Sequence, residues 1–500
     1  MSFPARWRVL KFGGTSVADP SAWPLIARTV RQHCREGARP LLVCSAFSKV
    51  TDLLVSLCSE LRSGACPEAT VAALRARHED RAQALGLQLS DVPEAVALLD
   101  RIASIAQAAA SDATLLTPAL EAELLAMGER LSTLVGAAWL NANGLRAHWL
   151  DARRVLQLDT DAGQPETDSY LAAEVVSDLR EDLSAELAAL ETDVIITQGF
   201  IAQNDTGETV VLGRGGSDTA ASAIAATLGA ELVEIWTDVP GVLTTDPRLT
   251  PRARLIEELT LETMEAMAGR GAKVLHPRCL APVRRAGIPL AIRWTRHPDI
   301  GCGTALVAGA THTQRPGAAA VTVKRNVVAF SLDRERHWQP VGFLAEVSSC
   351  FQSFGISMDV VASSPSSIRT TVDLDAFPGL ESQLDALVER LSAVANPVIR
   401  RDVAVVSVVG EQVSADMGRI FARIGALPAG KVMFLAHAAD DHHMSWVVDA
   451  TVADDLVRLL HDAVFADREA EHGPTWSQLR TGSVAGNERA DNGAVTAVAS

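Results

Sequence analysis

Lys11-Phe12-Gly13-Gly14-Thr15-Ser16 follows directly on a short apolar run, Trp7 to Leu10. A strand that ends in a lysine, two glycines and two hydroxyl residues gathers backbone N–H groups, a fixed cation and hydroxyl donors in one loop, which is how proteins hold a polyphosphate. The glycines let the backbone approach the phosphate, and the lysine offsets charge that builds on a transferring phosphoryl group. Alone, the stretch fits a plain chain turn with a solvated lysine better. Other stretches, far apart in sequence, ask for the same ligand.

Leu212 to Ala221 (Leu-Gly-Arg-Gly-Gly-Ser-Asp-Thr-Ala-Ala) follows a strand-like run and opens a helix-like one, so its N–H groups and the helix dipole face a ligand. Arg214 stands in a glycine-rich turn, where a guanidinium can grip a carboxylate bidentately. Asp218 occupies the sixth position, so the run is not a dinucleotide fingerprint, and the chain holds no Gly-Lys-Ser/Thr P-loop. Ser217 and Asp218 also suit helix capping. In Met127 to Ser132, Glu129 beside a glycine can accept from a substrate ammonium, with Ser132 on the same helical face; a solvated Glu-Arg pair is the plain alternative.

Trp236 to Arg248 runs from a strand end through Pro240-Gly241 to Asp246-Pro247, a loop able to wrap a nucleotide with Thr237 and Asp238 near sugar or phosphates and Arg248 near phosphates. A double turn explains its prolines and glycine as well. Gly271 to Pro277 brings a second lysine, Lys273, with His276 read as packed or capping rather than as a base. Leu41 to Lys49 adds a strand-to-hydroxyl loop in which Ser45 meets substrate or phosphate. Two lysines, an arginine and glycine-bearing loops without an obvious nucleophile or base suit phosphoryl transfer, which needs positioning and charge neutralisation.

The elements that must position these loops follow from the hydrophobic pattern. From Trp7 to about Val307 short β-branched runs alternate with helical periods, the signature of a mostly parallel sheet covered by helices, with ligand loops at the carboxyl ends of its strands. Residues 66–142 break the alternation as a helical insertion, with Pro67, Pro93 and Pro118 marking starts. Ala308 to Ala320 reads as a linker. After it, two successive β-α-β-β-α patterns, over 321–395 and 398–467, suggest a tandem of small ligand-sensing modules. Residues 469–500, polar and rich in small side chains, read as a disordered tail or linker.

Five hundred residues exceed one core. With 45 Lys+Arg against 61 Asp+Glu the net charge is −16, which argues against nucleic-acid and anionic membrane surfaces while leaving room for a local basic pocket. The seven cysteines lack metal-ligand spacing and read as reduced core residues of a cytoplasmic protein. Residues 1–8 carry no signal-peptide core, and no apolar run is long enough to span a bilayer.

On Lys11 to Ser16, Met127 to Ser132, Gly213 to Ala221, Trp236 to Arg248 and Ala272 to Pro277, in this order, the chain resembles the aspartate kinases of the amino-acid kinase superfamily, over roughly Val9 to Phe465. The resemblance implies an amino-acid-kinase α/β domain over 1–307, then two ferredoxin-like βαββαβ ACT domains. It implies ATP and Mg²⁺ as cofactors, the metal arriving on the nucleotide with no protein ligand set, and transfer of the γ-phosphoryl to the β-carboxylate of L-aspartate. Lys11 and Asp218 are then catalytic. Thr15, Ser45, Glu129, Arg214 and Ser217 hold aspartate, with Glu129 on its α-ammonium and Arg214 on a carboxylate. Lys11, Gly13, Gly14, Ser16, Thr237, Asp238, Arg248 and Lys273 hold ATP.

Gly342 to Val347 followed by Ile356 to Asp359 is similar to the first ACT domain of lysine-inhibited members. That implies feedback by an end-product amino acid, lysine or alternatively threonine, at Ser357, Met358, Asp359 and Ser363, and a homodimer built through the ACT domains. Leu243 stands where many members have tyrosine, and Gln339 and Pro340 depart from a lysine-pocket pattern. The competing readings are a kinase-dead amino-acid sensor and a kinase for a related acid such as glutamate.

Overall fold

The computed structural model describes residues 5–158, 166–297, 303–309, 316–334, 341–377, 379–426, 428, 430–468 and 471–481. By density of internal contacts the chain forms two units. The first is 1–242 with 258–268 and 273–313, and the second is 243–257, 269–272 and 314–500.

The first unit is built on an eight-stranded sheet. Its strands lie in the order Glu258–Thr260, Gly303–Val307, Leu290–Trp294, Leu232–Thr237, Trp7–Phe12, Arg39–Cys44, Val194–Gln198 and Ala147–Leu150. All neighbours are parallel except Leu290–Trp294 with Gly303–Val307. The central strands are mostly apolar and buried because helices cover both faces: all of Val194–Gln198, and all of Arg39–Cys44 but its first residue, are buried. A smaller four-stranded sheet holds the 201–203 and 209–211 pair that leads into the Gly213 loop.

The helical insertion consists of Glu68–Ala84, Pro93–Ser111 and Pro118–Ala142. Pro93 and Pro118 occupy first-turn positions, where a missing N–H costs nothing, and the Thr117 hydroxyl accepts from Leu120 N–H at 3.2 Å to cap the longest helix. Leu54, Leu74, Leu99, Leu124 and Leu131 join the core of this unit.

The second unit departs from the tandem expected over 321–395 and 398–467. One six-stranded antiparallel sheet carries both modules, because two long strands, Gly317–Asp333 and Asn396–Glu411, pair along their lengths with breaks in register. Val328, Phe330 and Leu332 belong to one core with Phe343, Phe351 and Leu384, whereas Ala318 and Val321 belong to another with Val406, Trp446 and Leu456. The first module, 327–400, is therefore nested inside the second, which takes a fourth strand from 317–324. The boundary expected at 395–398 falls at the start of a continuous strand.

Two further expectations need correction. Residues 471–481 are structured: Leu255 N–H donates to Pro474 O at 3.0 Å, Trp476 N–H to Ala253 O at 2.9 Å, and Trp476–Thr481 is helical. Cys66 is exposed rather than a core residue, while Cys44, Cys58, Cys279 and Cys350 are buried. Cys302, Gln339, Pro340 and residues 482–500 lie outside the described residues. Among the described residues no helix is long and apolar enough to cross a membrane.

Candidate active site

Parallel register delivers the candidate loops to one edge of the sheet. Phe12 pairs with Cys44 and Trp236, Cys44 with Gln198, and Thr237 with Trp294, so the chain leaves these strands side by side at Gly13, Ser45, Gly199, Asp238 and Thr295. The sheet thus gathers loops that are separated by more than two hundred residues in sequence.

Lys11 Nζ lies 2.6 Å from Asp218 Oδ1, and both side chains are largely buried. Asp218 sits in the first turn of Gly216–Leu228, where the helix dipole favours a carboxylate. The N-cap is Gly215 at φ +68°, and no side chain caps this helix, so Ser217 and Asp218 are free of the capping role; the Gly216 N–H donates to Gly213 O at 3.0 Å, and the positive end of the helix dipole faces this loop. Ser217 packs against the next loop: a Cβ on Gly199 would stand 2.6 Å from its Cβ.

The Gly13–Ser16 turn is fixed by its neighbours. Ser16 Oγ and Thr295 Oγ1 share a buried hydrogen bond of 2.9 Å, and Ser48 N–H donates to Gly14 O at 3.1 Å. Gly14 has to be glycine, since its Cβ would meet Ala46 O at 2.7 Å. Ser45 N–H donates to Phe12 O at 3.2 Å, and Ser132 Oγ donates to Ser45 O at 2.8 Å.

Glu129 is buried and accepts from the Ala46 N–H, but its Oε2 has no partner, and burial raises its pKa from 4.5 to about 8. A buried carboxyl group with an unpartnered oxygen can accept from a cation. The plain reading of Glu129 and Arg130 as a solvated pair does not hold.

Arg214 and Lys273 are exposed, and Thr15 is exposed at the tip of its turn. The Lys273 loop abuts the Arg214 loop: a Cβ on Gly215 would stand 2.3 Å from His276 Cβ, and Arg278 Nη1 donates to Leu212 O at 3.0 Å. His276 Nδ1 accepts from Arg278 N–H and burial lowers its pKa, so it is packed and capping, as its sequence context implies. Thr237 Oγ1 donates to Asp238 Oδ1 at 3.2 Å, and Trp294 Nε1 donates to Asp238 O at 3.0 Å.

Arg248 belongs to the second unit, where its exposed guanidinium is engaged by Asp246 at 2.6 Å. Ser357, Met358, Asp359 and Ser363 also belong to that unit. Ser357 and Ser363 are exposed, Met358 is half-buried against the core of the nested module, and Asp359 is held by Arg270 at 2.8 Å and Lys324 at 3.0 Å.

Sequence reasoning missed Thr295, Arg278 and the Ala46 N–H. Thr295 and Arg278 are tied to the site by long-range bonds, and the Ala46 amide carries no residue-type signal.

The model of the amino acid kinase family matches residues 6–293. The lysine-sensitive aspartokinase 3 of Escherichia coli is 34% identical over 461 residues, covering 91% of this chain and 99% of that protein. The chloroplastic aspartokinase 1 of Arabidopsis thaliana is 30% identical, covering 91% and 80%. Among solved structures, E. coli aspartokinase III with aspartate and ADP superposes with a TM-score of 0.75 at 31% identity, covering 92% of this chain and 100% of that one. The same enzyme with lysine and aspartate gives 0.72 at 32%, covering 92% and 99%. With the site's geometry and these likenesses together, the chain belongs to the amino acid kinase family, and within it to the aspartokinases.

Proposed function

We infer that this chain is an aspartate kinase, transferring the γ-phosphoryl of ATP to the β-carboxylate of L-aspartate to give 4-phospho-L-aspartate and ADP. One observation carries the reading. The buried carboxyl group of Glu129, with one oxygen unpartnered, accepts from Ala46 of the Ser45–Lys49 loop, and that loop is bonded through Ser45 N–H to Phe12 O and Ser48 N–H to Gly14 O to the Lys11–Ser16 turn, whose Lys11 pairs with Asp218. An acceptor for a substrate ammonium and a cation for a transferring phosphoryl group therefore share one frame.

In this reading Glu129 takes the α-ammonium of aspartate, Arg214 its carboxylate, and Thr15, Ser45 and Ser217 supply hydroxyl contacts. Gly13, Gly14 and Ser16 line the phosphates, and Thr237, Asp238 and Lys273 serve the nucleotide. Mg²⁺ bound with ATP would neutralise part of the phosphate charge, without a ligand set from the protein. A β-carboxylate oxygen forms the new bond to the γ-phosphorus as the bond to the ADP oxygen breaks. No proton is transferred, so the chain needs no general base. Lys11 neutralises the charge that develops on the transferring group, and Asp218 holds the lysine in place.

The regulatory reading rests on the second unit. Lysine, with threonine as the alternative effector, binds at Ser357, Met358, Asp359 and Ser363; two copies pair through the nested sheet, whose module leaves Val341 97% and Leu344 49% exposed. We place the enzyme in the cytoplasm. E. coli aspartokinase III has been solved with aspartate and ADP and with lysine and aspartate, the ligands assigned here.

An ADP-release assay with Mg-ATP and L-aspartate, then with glutamate, tests the chemistry. In the same assay Lys11→Ala should lose about 1,000-fold in kcat with an unchanged circular dichroism spectrum. Wild-type turnover in that variant, or equal turnover with glutamate, would overturn the assignment.

A further inference from the structure

The helical insertion does more than pack. Over little more than one turn of Glu68–Ala84, three side chains reach the two loops that carry Lys11–Ser16 and Ser45. Arg77 Nη1 donates to Ser48 O at 3.1 Å, and Arg81 Nη1 donates to Ala18 O at 3.0 Å. Between them, His78 is fully buried with its ring centroid 5.8 Å from that of Phe47, and burial pushes its pKa down to about 4. The His78 ring is thus a neutral packing surface. Both arginines are half-buried, and each gives its cation to a main-chain oxygen at the far end of a site loop.

The receiving loop has little internal means of holding its shape. Lys49, which closes it, is a non-glycine residue at φ +70°, in the left-handed region that costs a residue with a Cβ about 1 kcal/mol. Beyond the local Val50 N–H to Phe47 O bond of 2.9 Å, several of its peptide groups are committed outward: Ser45 O to Ser132, Ala46 N–H to Glu129, Ser48 N–H to Gly14. The Ser48 carbonyl is the point at which the insertion takes hold. Ala18 ends the short Gly14–Ala18 helix that begins in the phosphate turn.

We propose that Arg77 and Arg81 are positioning residues for phosphoryl transfer, clamping the aspartate loop and the phosphate turn in register from the helical insertion. This rests on the kinase reading for its kinetic consequences. Arg77 acts through the Ser45–Lys49 loop and so on aspartate; Arg81 acts through Gly14–Ala18 and so on the transferring phosphoryl group.

The test combines steady-state kinetics for both substrates with amide hydrogen exchange on the free enzyme. Arg77→Ala should raise the aspartate KM about tenfold, and Arg81→Ala should lower kcat about tenfold, each with faster exchange in 46–50 or 14–18 respectively. Arg77→Lys should recover most of the loss, because one N–H reaches the same carbonyl. Arg75→Ala is the control: that residue lies on the same helix and pairs with Asp100 at 2.5 Å, away from both loops, and should change neither readout. Wild-type kinetics and exchange in Arg77→Ala and Arg81→Ala would overturn the clamp, as would an equal loss in Arg75→Ala. Exchange needs no substrate, so a failure of turnover with aspartate would count against the kinase reading while the clamp is still decided.

Discussion

At the scale of single residues, Glu129 sets a conflict between stability and binding. In the unfolded chain it ionises near 4.5, whereas in the fold burial keeps it protonated up to about 8. Between those two values the folded chain holds the extra proton, so its stability falls as pH rises across this window and is untouched by Glu129 below it. In the proposed reading the α-ammonium of aspartate sits on this carboxylate, which would reverse the preference and expel the proton, so aspartate should bind more tightly as pH rises toward 8. Glu129→Gln removes the titration and keeps the shape. Its melting temperature at pH 8 should exceed that of the wild type by a few degrees, while its aspartate KM rises about 100-fold and loses its pH dependence. A lower melting temperature at pH 8 would sink the argument. Glu129 and Lys11 could be singled out as candidates from the sequence because each stands in a short run whose chemistry is local. The groups that hold them were not: Thr295 meets Ser16 across 279 positions, and no spacing rule reaches that far.

At the scale of elements, one substitution separates positioning from packing. Gly14 and Gly136 both stand where a Cβ meets something. At Gly14 the obstacle is the Ala46 carbonyl at 2.7 Å, backbone that cannot rotate away; at Gly136, on Pro118–Ala142, it is Trp23 Cη2 at 2.3 Å in the buried core. Gly14→Ala should therefore part the two site loops, lowering kcat/KM about 100-fold with little change in melting temperature. Gly136→Ala should keep the site geometry and cost about 1–3 kcal/mol of stability through overpacking, read by denaturant unfolding. The reverse pattern would mean that the loops adapt and the core transmits. The parallel sheet and the three helices of the insertion could be read from sequence, since buried strands and proline-started helices are local patterns. The nesting of the regulatory modules could not: 317–324 and 403–411 are each ordinary strand sequence, and only their pairing shows that the second module begins before the first.

At the scale of the whole molecule, the net charge of −16 coexists with cations placed at chosen points, and in the second unit the clearest is the group around Asp359. Arg270 gives one arm to Asp359 and another to His443 Nε2 at 2.8 Å, while Lys324 reaches Asp359 and, at 3.3 Å, Asp373. The stretch 269–272 directly precedes Lys273 in the chain, Asp359 belongs to the nested module, and His443 lies on a strand of the enclosing one. Burial and the Arg270 cation lower the His443 pKa to about 4, so the imidazole is neutral and accepts from the guanidinium. If the effector binds at Asp359, as proposed, its ammonium has to compete with Arg270 and Lys324 for one carboxylate. Two substitutions should move effector binding in opposite directions. Asp359→Asn removes the shared acceptor and should weaken lysine binding about 30-fold by calorimetry, with threonine run in parallel to identify the effector. Arg270→Ala removes one competitor and should tighten lysine binding, while the missing strut makes inhibition of turnover weaker at equal occupancy. If lysine binds both variants as it binds the wild type, the effector does not use Asp359, and the ion group only holds 269–272 against the regulatory sheet.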